Sequence, residues 1–459
     1  MVGQVKNFIA GRWVDSSSGE TFHSINPATE EVLATAPNRN SHDVDSAVQA
    51  AKAAFKEWRL VPAPRLGEVL YKVAQILEAR KEALSSVMTQ EMGKVITEAR
   101  GDVQEAIDMA YFMGGEGRRM HGYTAPVEMP NKFGMALREP VGVVGLITPW
   151  NFPVAVPSWK MLPALVAGNA VIWKPSEETP YTAAEFVKVF EEAGLPAGVL
   201  NLIAGAGAAG SALVQHPGVR VISFTGSTDT GTKVYTAAAA LGKKVALEMG
   251  GKNAIIVMDD ANLELAVKAI TWSAYGTTGQ RCTATSRLIV QRGILGALTD
   301  ALAEKAATLR VGYGLEDGVE VGPLVNQKAL DKVEKYVSVG REEGATLAFG
   351  GTRAADKGFF YAPTLFTNVN RNMRIAREEI FGPVLSLVPV ASLEEAVEVN
   401  NSVAYGLSSS IFTENINQAF RAIRDLTTGI VYVNHGTTGA EIQFPFGGTR
   451  GNEIGRAHV

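Results

Sequence analysis

The only cysteine in the 459 residues, Cys282, lies in the polar segment GQRCTA at residues 279–284. A single cysteine cannot form an internal disulfide or supply most of a thiolate metal site, so it is either a small buried residue or a nucleophile. The polar surroundings and the adjacent Arg281 favour the nucleophile, because a nearby positive charge stabilises the reactive thiolate. Such a nucleophile needs a base, a pocket for developing negative charge and an acceptor for what leaves.

Composition excludes several functional classes. The length allows two or three domains, and a hydrophobic content of 46% with 47 glycines fits a compact α/β protein. The net charge of -4, from 43 basic and 47 acidic residues, gives no reason to expect nucleic acid or an anionic membrane as a partner. Six scattered histidines without an H-x-x-x-H pair make a metal site unexpected. One cysteine, no secretory signal and no apolar run of ~20 residues predict a cytoplasmic protein.

Strands and helices alternate in the middle of the chain. Short apolar runs typical of buried parallel strands occupy residues 141–147, 169–174, 199–203, 219–224 and 244–247. Helical spacing of apolar residues lies between them, at residues 157–166, 183–193, 211–215 and 231–240. This alternation predicts a parallel sheet with right-handed crossovers, which is a nucleotide-binding architecture whose ligands bind at the carboxyl ends of the strands.

Two glycine loops are candidates for phosphate binding. The segment GAGAAG at residues 205–210, which includes Gly207, matches G-x-G-x-x-G, but a lone match is weak in a glycine-rich chain. The segment FTGSTDTG at residues 224–231 leads from a strand into a helix, where free amides and hydroxyls can hold a pyrophosphate. We expect the second loop to contact the phosphates and the first to lie near the adenosine. The alternative, that both loops are simple turns, stays open at this point.

Read together, five segments resemble the aldehyde dehydrogenase superfamily over essentially the whole chain. They are PWNFP (149–153), FTGSTDTG (224–231), LEMGGK (247–252), GQRCTA (279–284) and EIFGP (379–383). The resemblance implies an α/β fold with a Rossmann-type parallel-sheet NAD(P)-binding domain, an α/β catalytic domain and a small bridging hairpin. The expected boundaries are 1–117 with 141–250 for the cofactor domain, 251–435 for the catalytic domain, and 118–140 with 436–459 for the bridging segments.

The resemblance also implies catalytic roles. Cys282 attacks the aldehyde carbon to give a thiohemiacetal, and hydride transfer to the nicotinamide leaves a thioester that water hydrolyses. Glu248 is the implied base for that water, and Asn151 with the backbone N–H of Cys282 forms the implied oxyanion hole. Lys160 lies near the base and is expected to relay protons. On residue type alone, Glu248 is more simply a surface charge at a strand end, and Asn151 a turn residue beside proline.

The cofactor roles implied by the resemblance favour NAD over NADP. Lys174 matches a lysine on the adenosine ribose, and Glu177 falls where a carboxylate binds the 2′-hydroxyl and repels a 2′-phosphate. Ser176, in contrast, is used by NADP-tolerant relatives, so both cofactors stay open. The other expected cofactor contacts are Trp150, Gly207, Gly226, Ser227, Glu379 and Phe381.

The segments at 279–287, 410–415 and 441–448 resemble the α-ketoglutaric semialdehyde dehydrogenases, which oxidise 2,5-dioxopentanoate to 2-oxoglutarate. Arg281 then has two interpretations: it anchors the distal carboxylate of a short semialdehyde, or it orders the cysteine loop. Phe152 and Trp159 are expected at the same substrate site. Succinic and glutaric semialdehydes, and simple aliphatic aldehydes, are the alternative substrates.

Rival functions can be stated from the same residues. An acylating dehydrogenase that passes the thioester to coenzyme A is disfavoured by Glu248, and a cysteine hydrolase or acyltransferase by the phosphate loop and Lys174. A catalytically silent structural relative is disfavoured by the joint presence of Cys282, Glu248 and Asn151. The expected partners are a small aldehyde and further copies of this chain, as a dimer or tetramer. Because the family usually continues past the FGG segment into a last strand that joins the neighbouring subunit, we expect a truncated or frame-shifted end at residues 456–459, with tetramer formation in doubt.

Overall fold

The computed structural model describes residues 2–38 and 41–455. Its helices, numbered in chain order, are α1 (Ser41–Trp58), α2 (Ala63–Met92), α3 (Ile96–Glu116), α4 (Ala155–Val166), α5 (Pro180–Glu192), α6 (Gly207–Gln215), α7 (Thr228–Ala240), α8 (Leu263–Tyr275), α9 (Leu295–Thr308), α10 (Gln327–Glu342), α11 (Arg374–Arg377), α12 (Leu393–Asn401) and α13 (Ile416–Asp425). A short 3-10 turn, Gly276–Gly279, follows α8 and begins the cysteine loop.

The strands form four sheets. In chain order they are β1 (Gly3–Gln4), β2 (Asn7–Ile9), β3 (Arg12–Val14), β4 (Thr21–Ile25), β5 (Val32–Pro37), β6 (Tyr123–Ala125), β7 (Gly134–Ala136), β8 (Val143–Ile147), β9 (Ala170–Lys174), β10 (Leu200–Leu202), β11 (Val221–Thr225), β12 (Lys244–Glu248), β13 (Asn253–Val257), β14 (Thr285–Gln291), β15 (Thr346–Phe349), β16 (Thr364–Thr367), β17 (Val384–Val390), β18 (Ser408–Phe412), β19 (Ile430–Val433) and β20 (Glu453–Ile454). The predicted strands and helices between residues 141 and 248 are all present, with ends shifted by a few residues.

The first large sheet has the order β20-β12-β11-β8-β9-β10-β2-β3. Its five central strands, β8 to β12, run parallel, and β8 and β9 are buried at every residue because helices cover both faces. Helices α2 to α5 pack on one face, and α1, α6 and α7 on the other. This doubly wound arrangement, with the crossovers expected from the sequence, confirms the predicted α/β fold.

The register of this sheet brings its functional ends to one edge. Ile147 pairs with Lys174, and Thr225 pairs with Glu248, at the carboxyl ends of four parallel strands. Asn151 follows β8 by four residues and lies on the same side. Ligands bind at this edge of such sheets, so the fold itself collects the predicted cofactor and catalytic residues.

The second large sheet has the order β15-β16-β17-β14-β13-β18-β19 and is parallel apart from β15. Helices α8 and α9 pack on one face, and α10, α12 and α13 on the other. Cys282 lies between α8 and β14, so the nucleophile approaches the first sheet from the second. Strands β6 and β7 pair as a separate hairpin with exposed apolar side chains, at the place of the expected bridging hairpin.

Residues 453–454, within the expected bridging segment 436–459, form β20, which pairs antiparallel with β12 and sets Glu453 opposite Glu248. The domain boundaries expected from the sequence stay predictions. The segment 456–459, on which the expectation of a truncated end rests, lies outside the described residues. None of the described helices is long and apolar enough to cross a membrane.

Candidate active site

The loop that carries Cys282 has an unusual backbone. Thr277, Thr278 and Gly279 are three consecutive left-handed residues, with φ of 49°, 57° and 70°. Residues with a Cβ rarely adopt this conformation, which costs roughly 1–3 kcal/mol each at such positions. A Cβ at Gly279 would also lie 2.2 Å from the carbonyl oxygen of Gly382. The loop therefore depends on contacts from the rest of the molecule to keep its shape.

Polar side chains supply those contacts on the carboxyl side of the cysteine. The Asn253 amide donates to the carbonyl oxygens of Cys282 at 2.7 Å and Ala284 at 3.0 Å. The Thr437 hydroxyl donates to the carbonyl oxygen of Thr283 at 2.7 Å. Sequence reasoning missed Asn253 and Thr437, because only their spatial positions link them to the cysteine.

Arg281 is engaged in ordering the loop. Its Nη2 lies 2.7 Å from Oε1 of Glu98, its Nε donates to the Thr277 hydroxyl at 2.9 Å, and its guanidinium carbon lies 4.8 Å from the centre of the Trp272 ring. The side chain is only 7% exposed. Because the charge of Arg281 is already paired with Glu98, the structure favours the loop-ordering interpretation over the substrate anchor.

The surroundings of Cys282 oppose the thiolate that the adjacent Arg281 was expected to favour. Burial, followed by the charges of the Glu248 and Glu379 carboxylates, raises the pKa of the thiol to about 12. The cation that was expected to lower this pKa, Arg281, is neutralised by Glu98. The thiol is therefore protonated at neutral pH, and a base has to take its proton before attack.

Glu248 has the surroundings of a buried base. It ends β12, it is 3% exposed, and neither carboxylate oxygen has a hydrogen-bond partner among the described residues. Burial and, after it, the charge of Glu453 raise the pKa of this carboxyl to about 8, against the opposing charge of Lys160. A carboxylate without donors accepts a proton more readily than one in water, which suits general-base chemistry near neutral pH.

Lys160 lies on the buried side of α4 and faces the strand before the phosphate loop. Its Nζ donates to the Ser223 hydroxyl at 2.9 Å, and burial lowers the pKa of the ammonium while the Glu248 carboxylate opposes that shift. The proximity expected between Lys160 and the base is thus present in the structure. A proton-relay role is consistent with a shared low-dielectric environment and stays a prediction.

Asn151 joins the first sheet to the cysteine loop. Its Nδ2 donates to the carbonyl oxygen of Gln280 at 3.1 Å, and its buried Oδ1 has no hydrogen-bond partner among the described residues. Among the described residues, Nδ2 donates only this hydrogen bond, which leaves its second hydrogen available to a substrate oxygen. An amide held in this way beside the nucleophile can donate to an oxyanion that forms on the substrate.

The residues that are expected to bind the adenosine and pyrophosphate of the cofactor lie at the carboxyl edge of the first sheet. Lys174 ends β9 and its Nζ lies 3.3 Å from Oε2 of Glu177, whose side chain is 46% exposed. Ser227 caps α7 by accepting the amide of Thr230. The buried hydroxyl of Thr225, at the end of β11, has no hydrogen-bond partner within the described ranges. This unused donor beside a capped helix N-terminus fits a bound pyrophosphate.

Three further residues that were predicted to bind the cofactor follow strands of the first sheet: Ser176 after β9, Gly207 after β10 and Gly226 after β11. The Ser176 hydroxyl accepts the amide of Glu178 at 3.2 Å, next to Lys174. Gly207 begins α6 with open space around it, and a Cβ at Gly226 would lie 2.5 Å from the ring of Phe224. Both glycines therefore leave backbone accessible at strand ends, as a dinucleotide requires.

The residues that are expected to bind the nicotinamide lie between the two sheets. Oε1 of Glu379 accepts the amide of Gly251 at 2.7 Å, and burial raises the pKa of the carboxyl. Phe381 has a left-handed φ of 62° and makes an edge contact with Trp150, with ring centroids 5.6 Å apart. A carboxylate and an aromatic face beside the cysteine loop fit a bound nicotinamide riboside, which would supply the hydride acceptor at this place.

A cavity of about 410 Å³ lies between α3, α4 and the segment 442–445. Trp159, which the sequence assigned to substrate binding, is in its wall, whereas Phe152 packs under the ammonium of Lys94 at 3.9 Å. Its walls include residues that the sequence motifs did not indicate: Met109, Phe112, Met113, Glu116, Arg119 and Arg138. The i, i+3, i+4 spacing of the three apolar residues on α3 was the available signal, but it is equally typical of an ordinary core face.

Comparison with known proteins decides the family. The model of the Aldehyde dehydrogenase family matches residues 13–459. The chain belongs to the aldehyde dehydrogenase family. It is therefore an oxidoreductase that acts on aldehydes with a nicotinamide cofactor, which confirms the resemblance drawn from the five segments. The roles of the individual site residues stay predictions.

Curated relatives cover nearly all of the chain. It is 44% identical over 450 residues to an alpha-ketoglutaric semialdehyde dehydrogenase of Bacillus subtilis, covering 97% of this chain and 92% of that protein. It is 38% identical over 444 residues to a 2,5-dioxopentanoate dehydrogenase of Saccharolobus solfataricus, covering 96% of this chain and 92% of that one. An NAD-dependent aldehyde dehydrogenase from Sinorhizobium meliloti superposes with a TM-score of 0.97 at 37% identity, covering 99% of this chain and 91% of that structure.

The surroundings of Glu248 generate a pH prediction for this aldehyde dehydrogenase. A base works when deprotonated, so the rate of thioester hydrolysis rises as pH increases through the pKa of Glu248. Lys160→Met removes the charge that lowers this pKa, so the acidic limb moves to higher pH. Glu453→Gln removes a charge that raises it, so the limb moves to lower pH. The measurement is kcat against pH, and shifts of both variants in the same direction would contradict the assignment.

The cysteine loop generates a stability prediction. Gly279→Ala combines a left-handed φ with a clash against the Gly382 carbonyl, and we expect it to lower the free energy of unfolding by more than about 1–3 kcal/mol and to abolish most activity. Gly242→Ala is the matched control, because Gly242 has a φ of 63° with nothing within 4 Å. We expect the control to lose stability from backbone strain alone and to keep its activity. Denaturant unfolding and initial rates measure both effects, and equal losses in the two variants would show that the clash does not matter.

Proposed function

We propose that this aldehyde dehydrogenase oxidises a short dicarboxylate semialdehyde, such as 2,5-dioxopentanoate, to the carboxylate, with NAD as the preferred cofactor. The observation that carries the proposal is the convergence of three groups from distant parts of the chain. The Asn151 amide binds the cysteine loop, and the Glu248 carboxylate lies close enough to Cys282 to shift the pKa of its thiol. The names of two relatives, from Bacillus subtilis and Saccharolobus solfataricus, support the substrate class.

The residues act in a simple order in this proposal. Glu248 takes the proton of the Cys282 thiol, and the sulfur bonds to the aldehyde carbon while the carbonyl oxygen becomes an oxyanion. The Asn151 amide and the backbone N–H of Cys282 donate to that oxygen. Glu379 and Phe381 would hold the nicotinamide, which would supply the hydride acceptor, and loss of hydride from the substrate carbon leaves a thioester on the sulfur. Glu248, once it has released the thiol proton to solvent, takes a proton from water, whose oxygen bonds to the thioester carbon. The C–S bond then breaks, the acid leaves, and the sulfur regains a proton from Glu248.

The cavity suits a small anionic aldehyde. Two guanidinium groups, Arg119 and Arg138, and one carboxylate, Glu116, contribute to its walls. Arg119 pairs with Glu116 at 2.7 Å, while Arg138 donates through Nε to the carbonyl oxygen of His121. The excess of one positive charge favours the entry of anions. Arg138, rather than Arg281 or the paired Arg119, is the cation that an incoming semialdehyde meets in this proposal.

Three further proposals concern the cofactor, the assembly and the compartment. NAD is favoured because the exposed carboxylate of Glu177 would repel a 2′-phosphate near Lys174. Homo-oligomer formation is supported by the hairpin of β6 and β7, where Tyr123 is 72% and Phe133 76% exposed, since exposed apolar side chains mark protein interfaces. Activity in the cytoplasm agrees with a single, unpaired cysteine.

The proposed function is tested by initial rates with 2,5-dioxopentanoate, succinic semialdehyde and a simple aliphatic aldehyde, each with NAD and NADP. We expect absorbance of the reduced cofactor with the dicarboxylate semialdehydes and NAD, and none with Cys282→Ser. An aliphatic aldehyde that is as good a substrate would overturn the substrate class and leave the family activity intact. Absence of reduced cofactor with every pair would favour a silent binding relative.

Arg281 provides a separate prediction. If it orders the loop, Arg281→Met lowers kcat for semialdehydes and for the aliphatic aldehyde by the same factor, because the change acts on the nucleophile. Arg138→Met, at the cavity, is expected to raise KM for the semialdehydes alone, because Arg138 donates to a carbonyl oxygen and not to a carboxylate. The comparison of kcat and KM across the three aldehydes checks both expectations. A selective loss of semialdehyde binding in Arg281→Met would restore the substrate-anchor interpretation.

A further inference from the structure

Two buried carboxylates lie one helical turn apart at the start of α3. The side chains of Glu98 and Asp102 are 3% and 0% exposed. Residues at i and i+4 of a helix lie on the same face, about 6 Å apart along the axis. Neither residue belongs to the cofactor or catalytic groups described above, and burying a carboxylate is costly unless its oxygens are fully used.

Glu98 holds the amino side of the cysteine loop. Both of its oxygens accept the backbone amide of Thr277, at 2.8 and 2.9 Å, and one also accepts the Thr277 hydroxyl at 3.0 Å. The same carboxylate pairs with Arg281, the residue before the nucleophile, at 2.7 Å. Thr277 is the first of the three left-handed residues, so Glu98 supports the strained part of the loop where it leaves α8.

Asp102 holds the segment that carries the oxyanion amide. Its Oδ1 accepts the backbone amide of Ala155 at 2.6 Å, in the first turn of α4, and its Oδ2 accepts Nζ of Lys94 at 2.7 Å. The same ammonium lies 3.9 Å from the ring centre of Phe152, the residue after Asn151. Asp102 therefore fixes both sides of a short segment, directly through Ala155 and indirectly through Lys94 and Phe152.

We propose that Glu98 and Asp102 are a pair of positioning residues that set the Cys282 loop and the Asn151 amide at a fixed separation. Helix α3 is the rigid spacer, because one of its turns holds the nucleophile segment and the next holds the oxyanion segment. The hydrogen bond from Asn151 to the carbonyl oxygen of Gln280, at 3.1 Å, closes the link between the two segments. The proposal rests on the proposed function, in which both segments act on the same carbonyl group.

Glu98 and Asp102 position different groups, so their effects can be measured separately. Glu98 acts on the sulfur, so its loss changes every reaction of the thiol. Asp102 acts on the oxyanion donor, so its loss changes only reactions that form an oxyanion. Alkylation of Cys282 by iodoacetamide displaces iodide at a saturated carbon and forms no oxyanion. It also needs neither aldehyde nor cofactor, and Cys282 is the only thiol in the chain.

The experiment measures two rates for each variant: alkylation by iodoacetamide, and the first-turnover burst of reduced cofactor with 2,5-dioxopentanoate and NAD. We expect Glu98→Gln to change the alkylation rate at least threefold and to lower the burst about tenfold. We expect Asp102→Asn to leave alkylation within twofold of the parent and to lower the burst about tenfold, at an unchanged half-saturating aldehyde concentration. Asp108→Asn, which removes an exposed carboxylate from the same helix, should change neither rate.

Each single variant leaves a buried cation without its partner and carries a risk of misfolding. Glu98→Gln with Arg281→Met, and Asp102→Asn with Lys94→Met, remove that cation and keep a side-chain oxygen as acceptor for the backbone amide. A folded Glu98 variant with parental alkylation and burst rates would overturn the proposal. So would an Asp102 variant whose alkylation falls as far as its burst. A parent that forms no reduced cofactor with 2,5-dioxopentanoate would overturn the proposed function instead, and the alkylation rates would still test the role of Glu98.

Discussion

The Cys282 thiol is partly buried beside two carboxylates, Glu248 and Glu379, and burial together with these charges raises the pKa of the thiol to about 12. Burial and negative charge both disfavour the thiolate, so the thiol is unreactive until a base removes its proton. Burial and the charge of Glu453, opposed by the charge of Lys160, raise the pKa of Glu248 to about 8, so this carboxylate accepts a proton at a pH where ordinary carboxylates do not. The same low-dielectric surroundings therefore disfavour the thiolate and make Glu248 a stronger base.

The fold creates this environment where the carboxyl edge of the first sheet meets the cysteine loop. The carboxyl ends of β9, β11 and β12 supply Lys174, the phosphate loop and Glu248, while the loop between α8 and β14 supplies the sulfur. Such loops are not rigid by themselves, and the cysteine loop is strained at Thr277 and Thr278. Side chains from elsewhere hold it, and Glu98 makes the largest number of those contacts on the amino side.

Much of this arrangement was predictable from the sequence. Continuous apolar runs identify β8 to β12, and their alternation with helices gives the parallel sheet, because both features are local. The family motifs name Cys282, Glu248 and Asn151, whose convergence the structure shows. The role of Arg281 was not predictable, because its partner Glu98 lies 183 residues away and the local sequence gives no sign of this ion pair. The upward shift of the Cys282 pKa was not predictable for a similar reason, because burial is a property of the folded chain.

The protonation state of the resting nucleophile tests this account most directly. Thiolates absorb near 240 nm, and a difference titration of the parent against Cys282→Ser isolates the single thiol from the tyrosines. We expect no thiolate signal in the enzyme without cofactor below about pH 10, well above the ~8.5 of an ordinary cysteine. A titration step at or below pH ~8.5 would show that the thiol is not controlled by burial. That result would contradict both the role of Glu248 as the base for the thiol and the effect of burial on the thiol pKa.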